Sequence, residues 1–136
     1  MKKRIGCNFA LFSFGGVCYG LIEIIWRKYT HWTMVLTGGF CFVVLYRVFA
    51  RLAHIALWQK CVIGSGIITT IEFFTGCIVN LWAKLDVWDY SGLPANFCGQ
   101  ICLPYSLLWG LLTVPICGIC TLLRKLGKIR KHRLFL

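Results

Sequence analysis

Acidic residues are nearly missing: four Asp and Glu stand in a chain of 136 residues. Charge of either sign is thin, at 14% of residues, where a soluble domain carries about 25%. Hydrophobic residues make up 59% and the mean hydropathy is +0.76. A chain this short cannot hide so much apolar surface in its own core, because small domains bury a smaller fraction of what they unfold. A soluble domain is therefore excluded, and the bilayer is the solvent for most of the sequence. The missing acids remove chemistry as well. No carboxylate or His lies near the cysteine pairs in sequence to complete a metal site, and no nucleophile–base pair supports an enzyme. No Walker A loop is present, so this chain does not hydrolyse ATP by itself. No cofactor is expected. Neither an internal repeat nor a low-complexity tract appears, and residues 1–136 read as a single membrane domain.

What is abundant is apolar run and positive charge. Four stretches approach the 20 or so apolar residues needed to cross about 30 Å of hydrocarbon. They are residues 5–26, 32–50, 62–82 and 101–123, with an outer loop at 83–100 and a basic tail at 124–136. The first run follows Lys2, Lys3 and Arg4 as a signal peptide would, but it is about 22 residues long and no small-residue cleavage site precedes polar sequence. It reads as a retained helix. The fold class expected is an all-α four-helix transmembrane bundle.

The net charge of +11 does not indicate nucleic acid, because the bases fall in short clusters between apolar runs. With the N-terminus inside, the inner side holds Lys2, Lys3, Arg4, Arg47, Arg51, Lys60 and the tail residues Arg124, Lys125, Lys128, Arg130, Lys131 and Arg133. The outer side holds Arg27, Lys28 and Lys84. That asymmetry predicts both termini in the cytoplasm of a cell-membrane protein. Arg47, Arg51 and His54 recur at helical spacing, which predicts a short amphipathic inner-surface segment between the second and third spans. This segment and the basic tail either rest on anionic lipid or serve only as topology signals.

Two of the four acids fall inside apolar runs. An ionisable residue at the centre of a membrane helix costs about 2.5–3.5 kcal/mol on insertion scales, so it usually faces a bundle interior or a water-filled cavity. Glu72 lies about 15 Å along the third span counted from Val62. Ser65, Thr69, Glu72, Gly76 and Asn80 recur at steps of three or four and so share one helical stripe. Opposite such a stripe there must be water, a substrate or a polar face of another helix. Glu72 is thus either a pathway carboxylate or a neutral, hydrogen-bonded packing residue. Glu23 sits near the outer end of the first span, one turn before Arg27, and an i, i+4 ion pair is its plainest reading. It also shares a face with Gly16 and Gly20, whose spacing permits close helix approach. In the fourth span, Pro104 and Pro115 predict kinks or breaks.

Most of the nine cysteines lie in apolar runs, where they act as small packing residues. Cys98 and Cys102 form a CxxxC in the outer loop, and a reduced pair is expected over a disulfide. That loop also carries Trp82, Trp88 and Tyr90, which suit the interfacial aromatic belt, and Asp89, Ser91, Gly92 and Pro94, which suit turns. It is expected to be ordered and folded back over the bundle.

The segment Val87-Trp-Asp-Tyr-Ser-Gly-Leu-Pro-Ala-Asn-Phe-Cys-Gly-Gln-Ile-Cys-Leu-Pro-Tyr-Ser-Leu-Leu-Trp-Gly110 resembles the WDYS-x-x-P-x-N-x-x-G signature of a bacterial membrane family. That family is the putative ABC-transporter type IV, or CmpB-like, permeases. The motif positions are Trp88, Asp89, Tyr90, Ser91, Pro94, Asn96 and Gly99. Upstream, residues 71–82 resemble the family's glutamate-bearing helix, and residues 20–34 with Gly38 and Gly39 resemble the first hairpin of its shorter, Firmicutes-type members. Lys28 stands where the family pattern has glycine, and the Asn-Arg-Gly and Pro-Ile-Tyr-Gly elements of longer relatives are missing.

The resemblance implies a permease whose energy source, if ATP, is a separate ATPase docked on the basic inner surface. The leading expectation is a small transport or channel component acting as a homo-oligomer, a dimer first. Glu72, Glu23, Thr69, Ser65, Asn80, Asp89 and Asn96 are its candidate pathway residues, and a cation or proton is the species best matched to a carboxylate. Another class of function is an accessory membrane protein that binds a larger partner or lipid, with the polar stripe as a helix–helix interface. An intramembrane enzyme using Asp86, Asp89 or His31 is a third.

Overall fold

The computed structural model describes residues 2–134; the side chains of Lys3 and of residues 129–134 lie outside what is described, as do residues 1, 135 and 136. The basic side chains Lys3, Arg130, Lys131 and Arg133 belong to this group. Four helices carry the chain: α1 (Lys2–Arg27), α2 (Trp32–Arg51), α3 (Leu57–Gly76) and α4 (Leu103–Leu134). A π-helical segment, Cys77–Trp82, extends α3, and a two-residue antiparallel ladder pairs β1 (Asn96–Phe97) with β2 (Ile101–Cys102) just before α4. All four helices are long and apolar enough to span a membrane, over 4–27, 32–51, 57–82 and 103–128.

α1 packs chiefly on α2 and α3 chiefly on α4, so the bundle is two helical hairpins laid side by side. Small residues let the first hairpin close. A Cβ on Gly39 would stand 2.6 Å from the Phe12 carbonyl, and one on Gly16 would stand 2.8 Å from that of Val35. The backbones therefore touch, as the Gly16–Gly20 spacing predicts, and Gly15, Gly38 and Gly39 contribute equally. Leu45, Phe49, Ile68, Trp109 and Cys117 join the two hairpins in a common core. Most other large apolar side chains point outward, among them Phe9, Ile25, Val62, Phe74 and Leu111, as suits a lipid-facing surface.

Several boundaries differ from expectation. α2 stops at Arg51 and α3 starts at Leu57, so the predicted amphipathic segment reduces to the last turn of α2 and a five-residue link. Leu57 and Trp58 can continue the apolar run, and Gln59 supplies a cap by accepting from the Ala56 N–H at 3.0 Å. The earlier start moves Glu72 to the sixteenth of 26 spanning residues, about 4 Å beyond the helix midpoint toward the long loop. Pro104 falls in the first turn of α4, where its missing N–H is harmless; only Pro115 is interior. Lys28, at the α1–α2 turn, has φ of +64°, the left-handed region that favours glycine. A glycine would adopt this conformation freely, and Lys28 is held there at a cost.

Candidate functional site

The long loop, residues 83–100, is bound to the bundle end through the stripe predicted on α3. At its centre is Glu72, 4% exposed. Its Oε1 accepts a hydrogen bond from the Tyr90 hydroxyl at 2.9 Å, and its Oε2 accepts one from Trp109 Nε1 at 3.0 Å. One carboxylate therefore ties α3, the loop and α4 together. Burial, and next the adjacent Glu72 carboxylate, push the Tyr90 phenol well above its usual range. Tyr90 accordingly stays protonated at any physiological pH and can donate to the Glu72 carboxylate.

One turn nearer the loop, Gly76 leaves room that a Cβ would fill: that atom would stand 2.6 Å from Gln100 Oε1 and 3.0 Å from the Trp88 ring. Beyond it comes Asn80, in the π-helical segment. Asn80 follows Gly76 by four residues and so lies on the same face. Asn80 Oδ1 accepts from the backbone N–H of Val87 (2.8 Å) and Trp88 (3.4 Å), while its Nδ2 donates to Gln100 Oε1 at 2.9 Å. Trp88 Nε1 donates to the Gln100 carbonyl at 3.0 Å. Trp88 is thus a buried plug, 6% exposed, and not the interfacial anchor its position first indicates. In the other direction, Ser65 Oγ donates to the Ser106 carbonyl at 2.6 Å and Thr69 Oγ1 pairs with Ser106 Oγ at 2.9 Å. The whole stripe faces α4 and the loop of the same chain.

Beside Glu72 a cavity of about 190 Å³ lies among the four helices, lined mainly by apolar groups such as Met34, Phe42, Leu45 and Ile68. Tyr19 lines it too and joins the second carboxylate: its hydroxyl donates to Glu23 Oε1 at 3.3 Å. Glu23 points inward, 7% exposed, with Arg27 Nε 3.6 Å from its Oε2 in the predicted ion pair. Arg27 Nη2 reaches the loop, donating to the Val87 carbonyl at 2.8 Å.

Asp89 and Asn96 stand apart from these groups, exposed on the far side of the loop. Asn96 Nδ2 donates to the carbonyls of Leu93 (2.9 Å) and Ser91 (3.2 Å), and its Oδ1 accepts from the Gly99 N–H at 3.2 Å. Asp89 Oδ1 accepts from the Ser91 N–H at 2.9 Å, a local turn that holds the Asp89 carboxyl below its ordinary range. Pro94 and Ser91 are exposed in the same turn region. Gly99, with φ of +69°, lies against this turn: a Cβ there would stand 2.9 Å from Asp89 Oδ1. These residues shape the loop and do not line the cavity. Cys98 and Cys102 are both free thiols.

A pH effect follows from Asp89. Its folded value is depressed, so its contribution is present above the unfolded carboxylate value, near 3.9, and is lost as pH falls through the lower folded one. Amide exchange at Ser91, corrected for intrinsic rates, is expected to quicken in that acid window and to be fast at all pH in Asp89→Ala. Exchange at Ser91 that ignores both changes would remove the turn from the account.

Sequence reasoning on single spans finds Glu72, Asn80, Ser65 and Thr69 but not their partners Trp109, Gln100 and Ser106. All three lie in the quoted motif, and Tyr105, Trp109 and Thr113 recur at i+4 along α4. Among the described residues, no three His, Cys, Asp or Glu side chains gather as a metal site. A family model described as "Putative ABC-transporter type IV" matches residues 7–133. No curated protein and no solved structure matches the chain.

Proposed function

The chain belongs to the family described as Putative ABC-transporter type IV, and from that premise we propose that it is a small permease acting as a homo-oligomer, a dimer first, with Glu72 as the carboxylate on its pathway. In this reading residues 1–136 form one non-enzymatic membrane domain with both termini cytoplasmic, supported by the distribution of bases. The loop end faces outward, and a separate ATPase, if ATP drives transport, docks on the opposite, basic face.

One observation carries the reading: the group that flanks the central cavity is also the group that latches the outer loop. An ionised Glu72 accepts from both Tyr90 and Trp109, and these charge-assisted bonds are about twice as strong as neutral ones. Protonation turns one oxygen into a donor. Trp109 N–H can only donate, so Tyr90 must become the acceptor, and the charge assistance is lost. A cation arriving at Glu72 likewise competes with both donors. Occupancy of the carboxylate and closure of the loop are thereby linked, which is what a gated cation or proton pathway requires.

The test is flux through purified protein in liposomes, with a pH-sensitive dye inside for protons and a panel of monovalent cations outside. Parent protein is expected to conduct, and Glu72→Gln to lower flux at least tenfold with helicity and oligomer size unchanged. Equal flux in the variant rejects the pathway role. A second reading, an accessory protein that binds a larger partner or lipid, is favoured by the fact that both Glu72 oxygens are already satisfied. Parent protein that conducts nothing while keeping its oligomeric state selects that reading.

A further inference from the structure

α1 and α4 enclose a cleft of about 300 Å³ on the flank of the bundle, adjoining the central cavity across Tyr19, Ile22, Trp109 and Leu112. Five aromatic rings wall it: Tyr19 and Trp26 of α1, Tyr90 of the loop, and Tyr105 and Trp109 of α4. They form a continuous set. Tyr90 stacks on Tyr105 at 4.7 Å between centroids, Tyr105 lies 6.0 Å from Trp109, and Trp109 lies 6.2 Å from Tyr19. Trp26 Nε1 donates to the Tyr105 hydroxyl at 3.4 Å, bridging the two helices at one edge of the cleft.

Glu23 completes the lining. Its Oε1 is engaged by Tyr19, but Oε2 is buried and has no hydrogen-bond partner. Arg27 Nε is near, at 3.6 Å, yet beyond hydrogen-bond range, while its Nη2 is committed to the Val87 carbonyl and its guanidinium lies 4.6 Å over the Tyr29 ring. Two of the rings are also polarised from behind. Tyr90 O–H and Trp109 N–H both donate to Glu72, which enriches their faces in electron density. Glu23 is ion-paired with Arg27, but its Oε2 accepts no hydrogen bond among the described residues. The electron-rich rings beside it attract a cation, most strongly where water is excluded. An anion would meet a carboxylate and ring faces. A neutral chain would leave Oε2 unsatisfied. Below the rings the wall turns aliphatic, with Ile22, Leu108, Leu111 and Leu112, and Leu108 and Leu111 are exposed at the lipid-facing surface.

We propose that this cleft binds a lipophilic organic cation, with an ammonium head among the five rings and Glu23 and a hydrocarbon chain leading out past Leu108 and Leu111 toward lipid. The site goes beyond the pathway reading and stands whether or not Glu72 conducts. A single-chain amine and the ammonium head of a phospholipid share this chemistry.

Binding of dodecyltrimethylammonium to full-length protein in uncharged maltoside micelles, followed by tryptophan fluorescence, tests it. Saturable binding is expected, weakened about tenfold in Glu23→Gln and in Trp26→Leu. Dodecyl sulfate and an uncharged dodecyl polyether are expected to show no saturable change. Glu23→Gln keeps an acceptor for Tyr19, and Trp26 is exposed at the rim, so neither variant threatens the fold; helicity is checked alongside. Equal affinity for the three head groups, or unchanged binding in both variants, overturns the proposal. Displacement of the probe by short-chain phosphatidylcholine identifies a lipid head as the natural source, and its failure to displace identifies a free amphiphile. Binding without flux leaves this site intact and rejects only the pathway role of Glu72, whereas flux without binding does the reverse.

Discussion

Glu72→Leu is expected to raise amide exchange across residues 87–100 by roughly 30- to 1,000-fold, the equivalent of about 2–4 kcal/mol. The substitution leaves the Tyr90 O–H and Trp109 N–H without their acceptor, and each buried orphan costs about 1–3 kcal/mol. Two opposing effects need weighing. Removing a carboxylate from the hydrocarbon layer favours insertion by about 2.5–3.5 kcal/mol. Interhelical hydrogen bonds in membranes, moreover, average only about 0.6 kcal/mol, because unpaired groups find other partners. The first effect acts on whether α3 enters the membrane, and the second applies to helices free to slide. Neither restores an acceptor to the loop. Insertion is therefore expected to be undiminished while the loop loosens. Glu72→Gln is the intermediate case: the amide accepts from Trp109 and donates to the Tyr90 oxygen but without charge assistance, so protection falls by less than in Glu72→Leu. Full protection of the loop in Glu72→Leu would show that Glu72 is not its latch.

Asn80→Leu is expected to release Trp88, seen as a red shift and stronger aqueous quenching of its fluorescence in a variant retaining only Trp88 and Trp109 of the six tryptophans. Asn80 Oδ1 is the acceptor for two backbone N–H groups, those of Val87 and Trp88, in residues only 4% and 6% exposed. Leucine has the same branching and number of side-chain heavy atoms, so the main loss falls on hydrogen bonding, about 2–4 kcal/mol for two orphaned donors. Asn96→Ala offers the contrast. Its three hydrogen bonds lie on the exposed face of the loop, where water replaces them, and about 0.5–1.5 kcal/mol is expected. An Asn96→Ala effect larger than that of Asn80→Leu would reverse the assignment of which end of the loop bears its anchorage.

The four spans were legible because apolar length alone reports them, and the stripe was legible because helical periodicity holds even when its partner is unknown. What lay opposite the stripe was not. Ser106, Trp109 and Gln100 approach it only through the α3–α4 hairpin and the turn at 96–102, neither of which is encoded by periodicity. Trp88 illustrates the same limit. A tryptophan between two spans fits an interfacial anchor by composition, and only the space left by Gly76 turns it inward. The π-helical segment, which carries Asn80, had no sequence signal that single-chain reasoning reads. The second span ends within one residue of its expected limit, but the amphipathic segment after it is shorter, because Arg47, Arg51 and His54 continue a helical pattern that the chain itself abandons after Arg51.

The pairing of α1 with α2 and of α3 with α4 has a bearing on biogenesis. Arg47 is hydrogen-bonded to Asn8, and Glu23 is held by Tyr19 and Arg27, all within the first hairpin. Glu72, Asn80, Ser65 and Thr69 find their partners entirely within the second half. Each hairpin thus neutralises its own intramembrane polarity before it meets the other. A ribosome emitting this chain can deliver the first hairpin to the bilayer with Glu23 already paired to Arg27, then the second, without exposing an unpaired carboxylate to lipid in between. Synthesis order and burial order coincide, and apolar surface, the Arg27–Val87 contact, the Trp26–Tyr105 hydrogen bond and the Arg124–Tyr46 contact remain for the final docking of the halves.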